Sequence, residues 1–415
     1  MHKESNFQLG NLFDRFIENP TIIKEHRMLS HSFLPDSYPH RELQMQNIGS
    51  IMANVLRDHR PSNLFLYGKP GTGKTCVTKY VLKMLQKHIR EKQTHLEGKF
   101  YYSYLNCKEV GGTNYSVYQN IIQSLDSTNI VPPTGLPTSE VFQRLLKAFD
   151  SLGRTIIVLI LDEIDELVKK SGSEVLYSLT RINDQLQETQ VAIVGISNDT
   201  KFKDYLDPRA YSSLSEEEIV FAPYNALELI DILNERSQQA LNKEVLEEGV
   251  IQKIAAIAAR EHGDARRALD LLRVSAELAE RQGSNLITTK LVTDAKNHIE
   301  KNTVQEVIST LPQQSKVVIA AIYRLEELER VDEITSGMIY ELYSDLCDKI
   351  KFDKVSARRI SDYINELDVL GILEANVVSK GRYGRTKKVK FCIPKSIVYD
   401  ILVKDPMFAE LVRKN

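Results

Sequence analysis

Asn63-Leu64-Phe65-Leu66-Tyr67-Gly68-Lys69-Pro70-Gly71-Thr72-Gly73-Lys74-Thr75-Cys76-Val77-Thr78-Lys79 is the stretch on which the reading of this chain turns. Asn63 to Tyr67 reads as a short buried strand. Gly68 to Thr75 spells G-K-P-G-T-G-K-T, and Cys76 to Gln86 alternates apolar and polar residues at helical spacing. Strand, glycine-rich loop and helix in that order are the context a Walker A phosphate loop requires. Gly68, Gly71 and Gly73 lack a Cβ, so the backbone turns sharply and brings N–H groups close to phosphate oxygens. The helix beginning near Lys74 aims its positive end at the same place. Lys69, Pro70, Thr72 and Cys76 complete the expected cradle. Lys74 is expected to reach the β- and γ-phosphates, and Thr75 to give its hydroxyl to Mg2+. A glycine turn that binds nothing is the alternative, and the flanking strand and helix weigh against it.

The length, 415 residues, suggests two or three domains. A composition 42% apolar and 27% charged suits a globular protein with several cores. The apolar run Ile156 to Leu161 has the length of a buried strand, and no apolar run approaches the length of a membrane span. Met1 to Phe7 carries charge and no apolar signal region, so a cytoplasmic location is expected. Cys76, Cys107, Cys347 and Cys392 are scattered without a CxxC pair, which argues against a disulfide framework or a thiolate metal site. The net charge of −2 says nothing about nucleic acid, but its distribution does. Lys380, Arg382, Arg385, Lys387, Lys388 and Lys390 follow one another with no acid among them. Such a run seeks anions.

Residues 1–36 read as an arm. Phe13, Phe16, Ile22, Ile23 and Leu29 are apolar without a clean period, and Pro20 and Pro35 interrupt. Tyr38-Pro39-His40-Arg41-Glu42 then leads into a helix reaching about Asp58. The arm either lies over a nucleotide base or merely caps that helix. Phe100 to Asn106 is a second strand and Val117 to Leu125 a helix; a Pro- and Gly-rich interruption follows, and Ser139 opens a helix through Phe149. That many breakers read as an insertion on a phosphate-loop core.

Thr155 to Ile160 is apolar and β-branched, as a central parallel strand would be. It runs into Leu161-Asp162-Glu163-Ile164-Asp165, a Walker B pattern. Asp162 is expected to orient Mg2+ and Glu163 to polarise an attacking water; the pair could instead only cap the next helix. Val191 to Ile196 is another apolar strand, and Asn198 beyond its tip is suited to hold a water or a γ-phosphate. Ile219 to Phe221 is a final short strand. From Pro223 onward the pattern is helical: Asn225 to Asn242, Leu246 to Glu261, Asp264 to Gln282 with Asp264 as N-cap, and Thr288 to Ile299. Further on, Ser315 to Leu328, Thr335 to Ile350 and Ser356 to Leu370 read as helices, and Ile372 to Val378 and Lys387 to Ile393 as a hairpin. Three helices and a hairpin make a winged helix. Its third helix, with Arg358 and Arg359 in the first turn, would enter the major groove, and the basic hairpin would run along the backbone. Protein–protein contact is the other use of such a module.

The order Walker A (Gly68 to Thr75), Walker B (Leu161 to Asp165), Asn198, D-P-R-x-x-S-S-L (Asp207 to Leu214), G-D-A-R (Gly263 to Arg266) and a terminal winged helix resembles the archaeal origin recognition initiators. These are AAA+ proteins similar to the largest subunit of the eukaryotic origin recognition complex and to its helicase-loading partner. The resemblance runs from about Phe13 to the C-terminus. It implies an α/β fold: a parallel-sheet AAA+ core with arm and insertion (about 130–147) over residues 1–222, a helical lid over 223–302, and a winged helix over 311–415.

The resemblance also implies roles. Arg266 matches the lid arginine that touches the γ-phosphate, and Arg209 the arginine offered to a neighbouring subunit's nucleotide. Tyr224 and Arg236 match positions lining the nucleotide site at the lid hinge. Arg209 or Arg236 as a surface ion-pair partner, and Tyr224 as hinge packing, are the plain alternatives. The insertion, with Thr138 and Arg144, would give the core its own grip on duplex DNA. The wing would place Lys380, Arg382, Tyr383, Arg385, Lys387 and Lys388 on DNA. Ala210-Tyr211 departs from the small aliphatic and basic pair expected after Asp207-Pro208-Arg209. The implied partners are ATP or ADP with Mg2+, duplex DNA at a replication origin, the replicative MCM helicase and paralogous initiator subunits, with no membrane and a nucleoid-associated location. A weak, switch-like ATPase is expected. An ATP-gated transcription regulator and a clamp-loader-like motor are the rival readings.

Overall fold

The computed structural model describes residues 21–31, 33–93, 96, 98–111, 113–125, 131–214, 217–328, 331, 333–379 and 385–412. The chain divides into two compact units, Met1–Val292 and Thr293–Asn415. In the first, strands β1 (Leu64–Tyr67), β2 (Phe100–Asn106), β3 (Ile156–Asp162), β4 (Gln190–Ser197) and β5 (Glu217–Val220) form one sheet in the order β2-β3-β4-β1-β5. Every pairing is parallel. All seven residues of β3 are buried, the consequence of helices on both faces. Alternate residues feed two cores. Phe65, Ile157 and Leu159 point to one face; Leu64, Val158 and Ile160 point to the other.

Parallel strands need crossovers, and helices supply them. Helix α1 (Glu42–Met52) precedes the sheet, and α2 (Lys74–Glu91) joins β1 to β2. Helices α3 (Asn114–Leu125) and α4 (Thr138–Asp150) join β2 to β3 and bury Val117, Ile121, Val141 and Leu145 against the sheet; α4 overlaps the stretch read as an insertion. Helices α5 (Ile164–Ser171) and α6 (Glu174–Thr180) follow β3, and α7 (Pro208–Ser213) follows β4. The strand order matters for function. It seats β4 between β1 and β3, so the C-terminal ends that carry the phosphate loop, Asn198 and Asp162 open side by side.

Helices α8 (Ala226–Ala240), α9 (Val250–Arg260) and α10 (Ala265–Arg281) form the lid. Asn225 and Glu228 make a reciprocal capping box on α8, and Asp264 caps α10. Helix α11 runs over Thr289–Thr310, well beyond the expected end at Ile299. The first proline after its start is Pro312, so nothing in the sequence breaks it earlier.

The second unit contains α12 (Gln313–Tyr323), continued by a π-helical turn at Arg324–Leu328, then β6 (Ile334–Thr335), α13 (Ser336–Ile350), α14 (Ala357–Val369), the hairpin β7 (Leu373–Ser379) and β8 (Arg385–Phe391), α15 (Lys395–Lys404) and α16 (Pro406–Val412). The hairpin is antiparallel, and β6 adds a third strand in the order β6-β8-β7. Val318, Ile322, Tyr343, Ile364 and Phe408 share one core. Among the described residues no helix is long and apolar enough to cross a membrane.

Candidate nucleotide site and nucleic-acid interface

The loop between β1 and α2 turns as its glycines require. Gly71 and Gly73 have φ of +72° and +94°, a region costly for any residue with a Cβ. Lys74 folds back over the loop. Its Nζ donates to the carbonyls of Gly68 (2.6 Å) and Lys69 (2.9 Å) and to Oδ1 of Asn198 (3.0 Å). Burial lowers its pKa to about 8, with the Arg266 cation adding to the effect and the Asp162 carboxylate opposing it. Thr75 Oγ1 donates to Asp162 Oδ2 (2.7 Å), and the Tyr104 hydroxyl donates to the same oxygen (3.0 Å). Asp162 Oδ1 accepts from the N–H of Glu163 (3.0 Å).

Glu163 occupies the N-cap position of α5 with φ 52° and makes no side-chain cap hydrogen bond, so simple capping does not account for it. A non-glycine residue in this left-handed region stores strain, a pattern that gathers at functional sites. Its pKa is raised by burial, and the nearby Lys108 pulls against that. Asp165 is buried and fixes the end of β4, its Oδ1 accepting from Ser197 Oγ and from the Asn198 N–H. These groups line one polar pocket: Gly71, Thr72, Gly73, Lys74, Thr75, Asp162, Glu163, Asn198 and Lys108, with Pro70 and Arg266. Gly68 and Lys69 contribute carbonyls to Lys74 instead of lining it. Among the described residues no group of three or more His, Cys, Asp or Glu side chains could hold a metal alone. A Mg2+ ion held by the Thr75 hydroxyl and the Asp162 carboxylate would take its remaining positions from water and phosphate, the usual way that ion is bound.

The lid closes on the loop directly. The Ala265 N–H donates to the Gly71 carbonyl (3.2 Å), and a Cβ on Gly71 would lie 1.7 Å from Asp264 Oδ1. Arg266, in the first turn of α10, thereby lines the polar pocket and a second, apolar one beside it. That second pocket is walled by Phe33, Pro35, Tyr38 and Pro39 of the arm, by Cys76, and by Tyr224, Ile232, Arg236 and Leu269 of the lid. The arm therefore walls a pocket beside the phosphate loop. Arg236 is buried, its guanidinium 4.8 Å from the Phe33 ring centroid, and its Nη1 has no hydrogen-bond partner. Burial lowers its pKa. A surface ion pair is thus excluded for it. Tyr224 is also buried, and burial pushes its hydroxyl up to about 12.

Models of three families match in succession: an AAA domain over residues 57–200, a Cdc6 AAA+ ATPase-type lid over 230–297 and a CDC6 C-terminal winged helix over 306–401. An ORC1-type DNA replication protein of Thermococcus onnurineus is 48% identical over 96% of this chain and 94% of its own length. One from Pyrococcus abyssi is 49% identical over 94% and 92%. The chain belongs to the ORC1/Cdc6 family of DNA replication proteins. Among solved structures, a complex of the Aeropyrum pernix ORC1 protein with DNA is 40% identical and superposes with a TM-score of 0.83, covering 94% of this chain and 99% of that one. Cdc6p from Pyrobaculum aerophilum, 24% identical with a TM-score of 0.58, shares the fold.

Arg209 stands apart from the site of its own chain. Its side chain is 81% exposed on α7, and its nearest acid is Asp207 at 3.8 Å. Sequence reasoning passed over Arg41, Tyr104, Lys108 and Asp165. Each comes from a segment remote from the loop or from a residue type with many ordinary uses, and only Asp165, inside the Walker B run, carried a local signal.

In the second unit Arg358 and Arg359 lie in the exposed first turn of α14, which Ser356 caps. Arg359 rests over the Tyr363 ring. Lys380, Arg382 and Tyr383 lie outside the described residues, as does the side chain of Arg385. The acid-free run is a property of sequence and does not hold in space. Antiparallel register sets Glu374 opposite Lys390, whose Nζ it accepts at 2.7 Å. Glu333, beside β6, pairs with Lys388 at 2.6 Å. Lys387 faces the other way, its Nζ donating to Ser361 Oγ and Asn365 Oδ1 on α14. In the first unit Thr138 is exposed at the start of α4, and Arg144 pairs with Glu140 one turn away at 2.7 Å.

Proposed function

We propose that this chain is an ATP-regulated replication initiator that binds duplex DNA at an origin and helps recruit the replicative helicase. The observation that carries the reading is its similarity, across 94% of its length, to an ORC1 protein solved in complex with DNA. The geometry supports it. Gly71 to Thr75, Lys74 and Arg266 would hold the phosphates, Thr75 and Asp162 the Mg2+, and Arg236 with Phe33 and Tyr224 the base. Bound Mg2+ would neutralise phosphate charge there. Glu163 and Asn198 would orient water, Arg209 would serve a neighbouring subunit, and Arg266 would report the state of the nucleotide to the lid. In this reading hydrolysis is a slow switch, and a steady rate above roughly one per second, an ordinary enzyme rate, would overturn that part.

DNA would meet α14, the β7–β8 wing and the α3–α4 connection. The ion pairs of Lys388, Lys390 and Arg144 are solvent-exposed, so water and salt screen them and exchanging them for phosphate is cheap. Footprinting on genomic origin DNA with ATP and with ADP tests the reading. Protection confined to an origin supports an initiator, and protection at scattered promoters supports a regulator instead. Arg358→Ala or Arg359→Ala should cost about 1–3 kcal/mol and relax base preference where a base is read. Equal loss on every sequence would place that contact on phosphate. Lys388→Ala should lower the slope of log affinity against log salt by about one unit, and an unchanged slope would take Lys388 off the DNA.

A further inference from the structure

Arg41 stands where three parts of the first unit meet. It is 3% exposed at the N-terminus of α1. Its Nε donates to the Thr72 carbonyl (2.9 Å), its Nη2 to the Ala222 carbonyl (2.6 Å) and its Nη1 to the His40 carbonyl (3.0 Å). The guanidinium lies 3.7 Å from the Tyr224 ring centroid and 5.7 Å from that of Phe221. Among the described residues it forms no ion pair. Burying this cation is costly, and carbonyl dipoles and ring faces are what compensate it.

The contacts tie separate segments of the unit together. The Thr72–Gly73 peptide is trans, so fixing its carbonyl on Arg41 sends the Gly73 N–H the opposite way. Thr72 and Gly73 both line the phosphate pocket. Ala222 and Tyr224 are the root of the lid, and the Tyr224 N–H donates to the Gly263 carbonyl just before α10. The chain reaches Arg41 from an arm bound to the lid. His40 Nε2 meets Asp231 at 2.8 Å, Ser37 bonds Glu235, His31 meets Asp270 at 2.9 Å, and the N–H groups of Ile22 and Ile23 donate to Glu280. Two chain segments therefore pass between lid and core, Tyr38 to Arg41 and Ala222 to Tyr224, and one guanidinium is bonded to both.

We propose that Arg41 is a positioning residue that ties the phosphate loop to the lid root, so that an anion seated in the loop stiffens the lid hinge. The proposal rests on the nucleotide reading above. Pyrophosphate tests it, because it carries no base and has no business in the apolar pocket. Hydrogen exchange of the full chain, with and without saturating pyrophosphate, is expected to slow at residues 68–75 and also at residues 222–225, by about threefold or more. Arg41→Lys keeps the charge but puts all its donors on one nitrogen, in place of the fork whose Nε and Nη2 reach the two carbonyls from separate atoms. It is expected to keep the response of the loop and lose that of the hinge. A wild-type hinge that ignores pyrophosphate while the loop is protected overturns the proposal, and this arm decides the matter even if the variant does not fold. A variant hinge that responds like wild type overturns it too. Protection of the loop by ADP but not by pyrophosphate would overturn this proposal alone, whereas protection by neither would remove the nucleotide reading with it.

Discussion

Lys74→Ala is expected to abolish nucleotide binding while leaving the winged helix able to bind duplex DNA. Lys74 Nζ sits at the floor of the polar pocket, held by two loop carbonyls and Asn198. Hydrogen bonds to a charged partner contribute about 1.5–3 kcal/mol each. Losing two, one per phosphate, costs about 3 kcal/mol or more, which is over roughly a hundredfold in affinity. The fold should suffer less. The ammonium is buried, and burial has already lowered its pKa to about 8, so removing it relieves a desolvation cost as well as deleting its bonds. The two effects oppose each other. Titration with a fluorescent, non-hydrolysable ATP analogue and a duplex-binding assay at fixed salt read the two halves separately. An affinity for the analogue within about threefold of wild type would contradict the role given to Lys74. Loss of all DNA binding would mean that the second unit depends on the first, against the division of labour proposed above.

Why some of this was legible and some was not follows from the range of the interactions. The β3 strand shows itself in its own residues, because a strand buried on both faces has to be apolar throughout. The phosphate loop shows itself for a similar reason: backbone that must approach phosphate closely needs glycine, and the requirement is written locally. Two residues of β6 are too few to display a period. Helix α15 does show one, in Ile397, Val398, Ile401 and Leu402, but the expected module of three helices and a hairpin left no place for it. Arg41 was unreadable in its role, since its partners at positions 72, 222 and 224 are contiguous only in space. The wing teaches the same point in reverse. A run without acids along the chain says nothing about neighbours across strands, and Glu333 and Glu374 arrive by pairing.

Gly263→Ala is expected to lower stability by about 2–5 kcal/mol and to uncouple the lid from nucleotide. Gly263 has φ +68°, where a side chain costs about 1–2 kcal/mol. A Cβ there would also lie 2.4 Å from the Tyr224 carbonyl oxygen and 2.9 Å from the Tyr224 nitrogen and from Pro223 Cβ. Backbone atoms have no rotamer by which to yield, so the hinge itself must shift, and overpacking of this kind costs about 1–3 kcal/mol more. Gly98 separates the two contributions. It has φ +77° with nothing within 4 Å of its Cβ position, so Gly98→Ala should show the backbone cost alone, about 1–2 kcal/mol. The functional consequence follows from what Gly263 precedes. Asp264 caps α10 and presses on Gly71, and Arg266 reaches the phosphate pocket from that same turn. A hinge pushed outward lifts all three from the loop. Thermal unfolding of both variants with and without Mg·ADP is the measurement. The nucleotide should raise the melting temperature of Gly98→Ala as it does wild type, and raise that of Gly263→Ala much less. Equal stabilisation of the two would mean that the lid root tolerates the added methyl group and that contact between α10 and the phosphate loop does not depend on it.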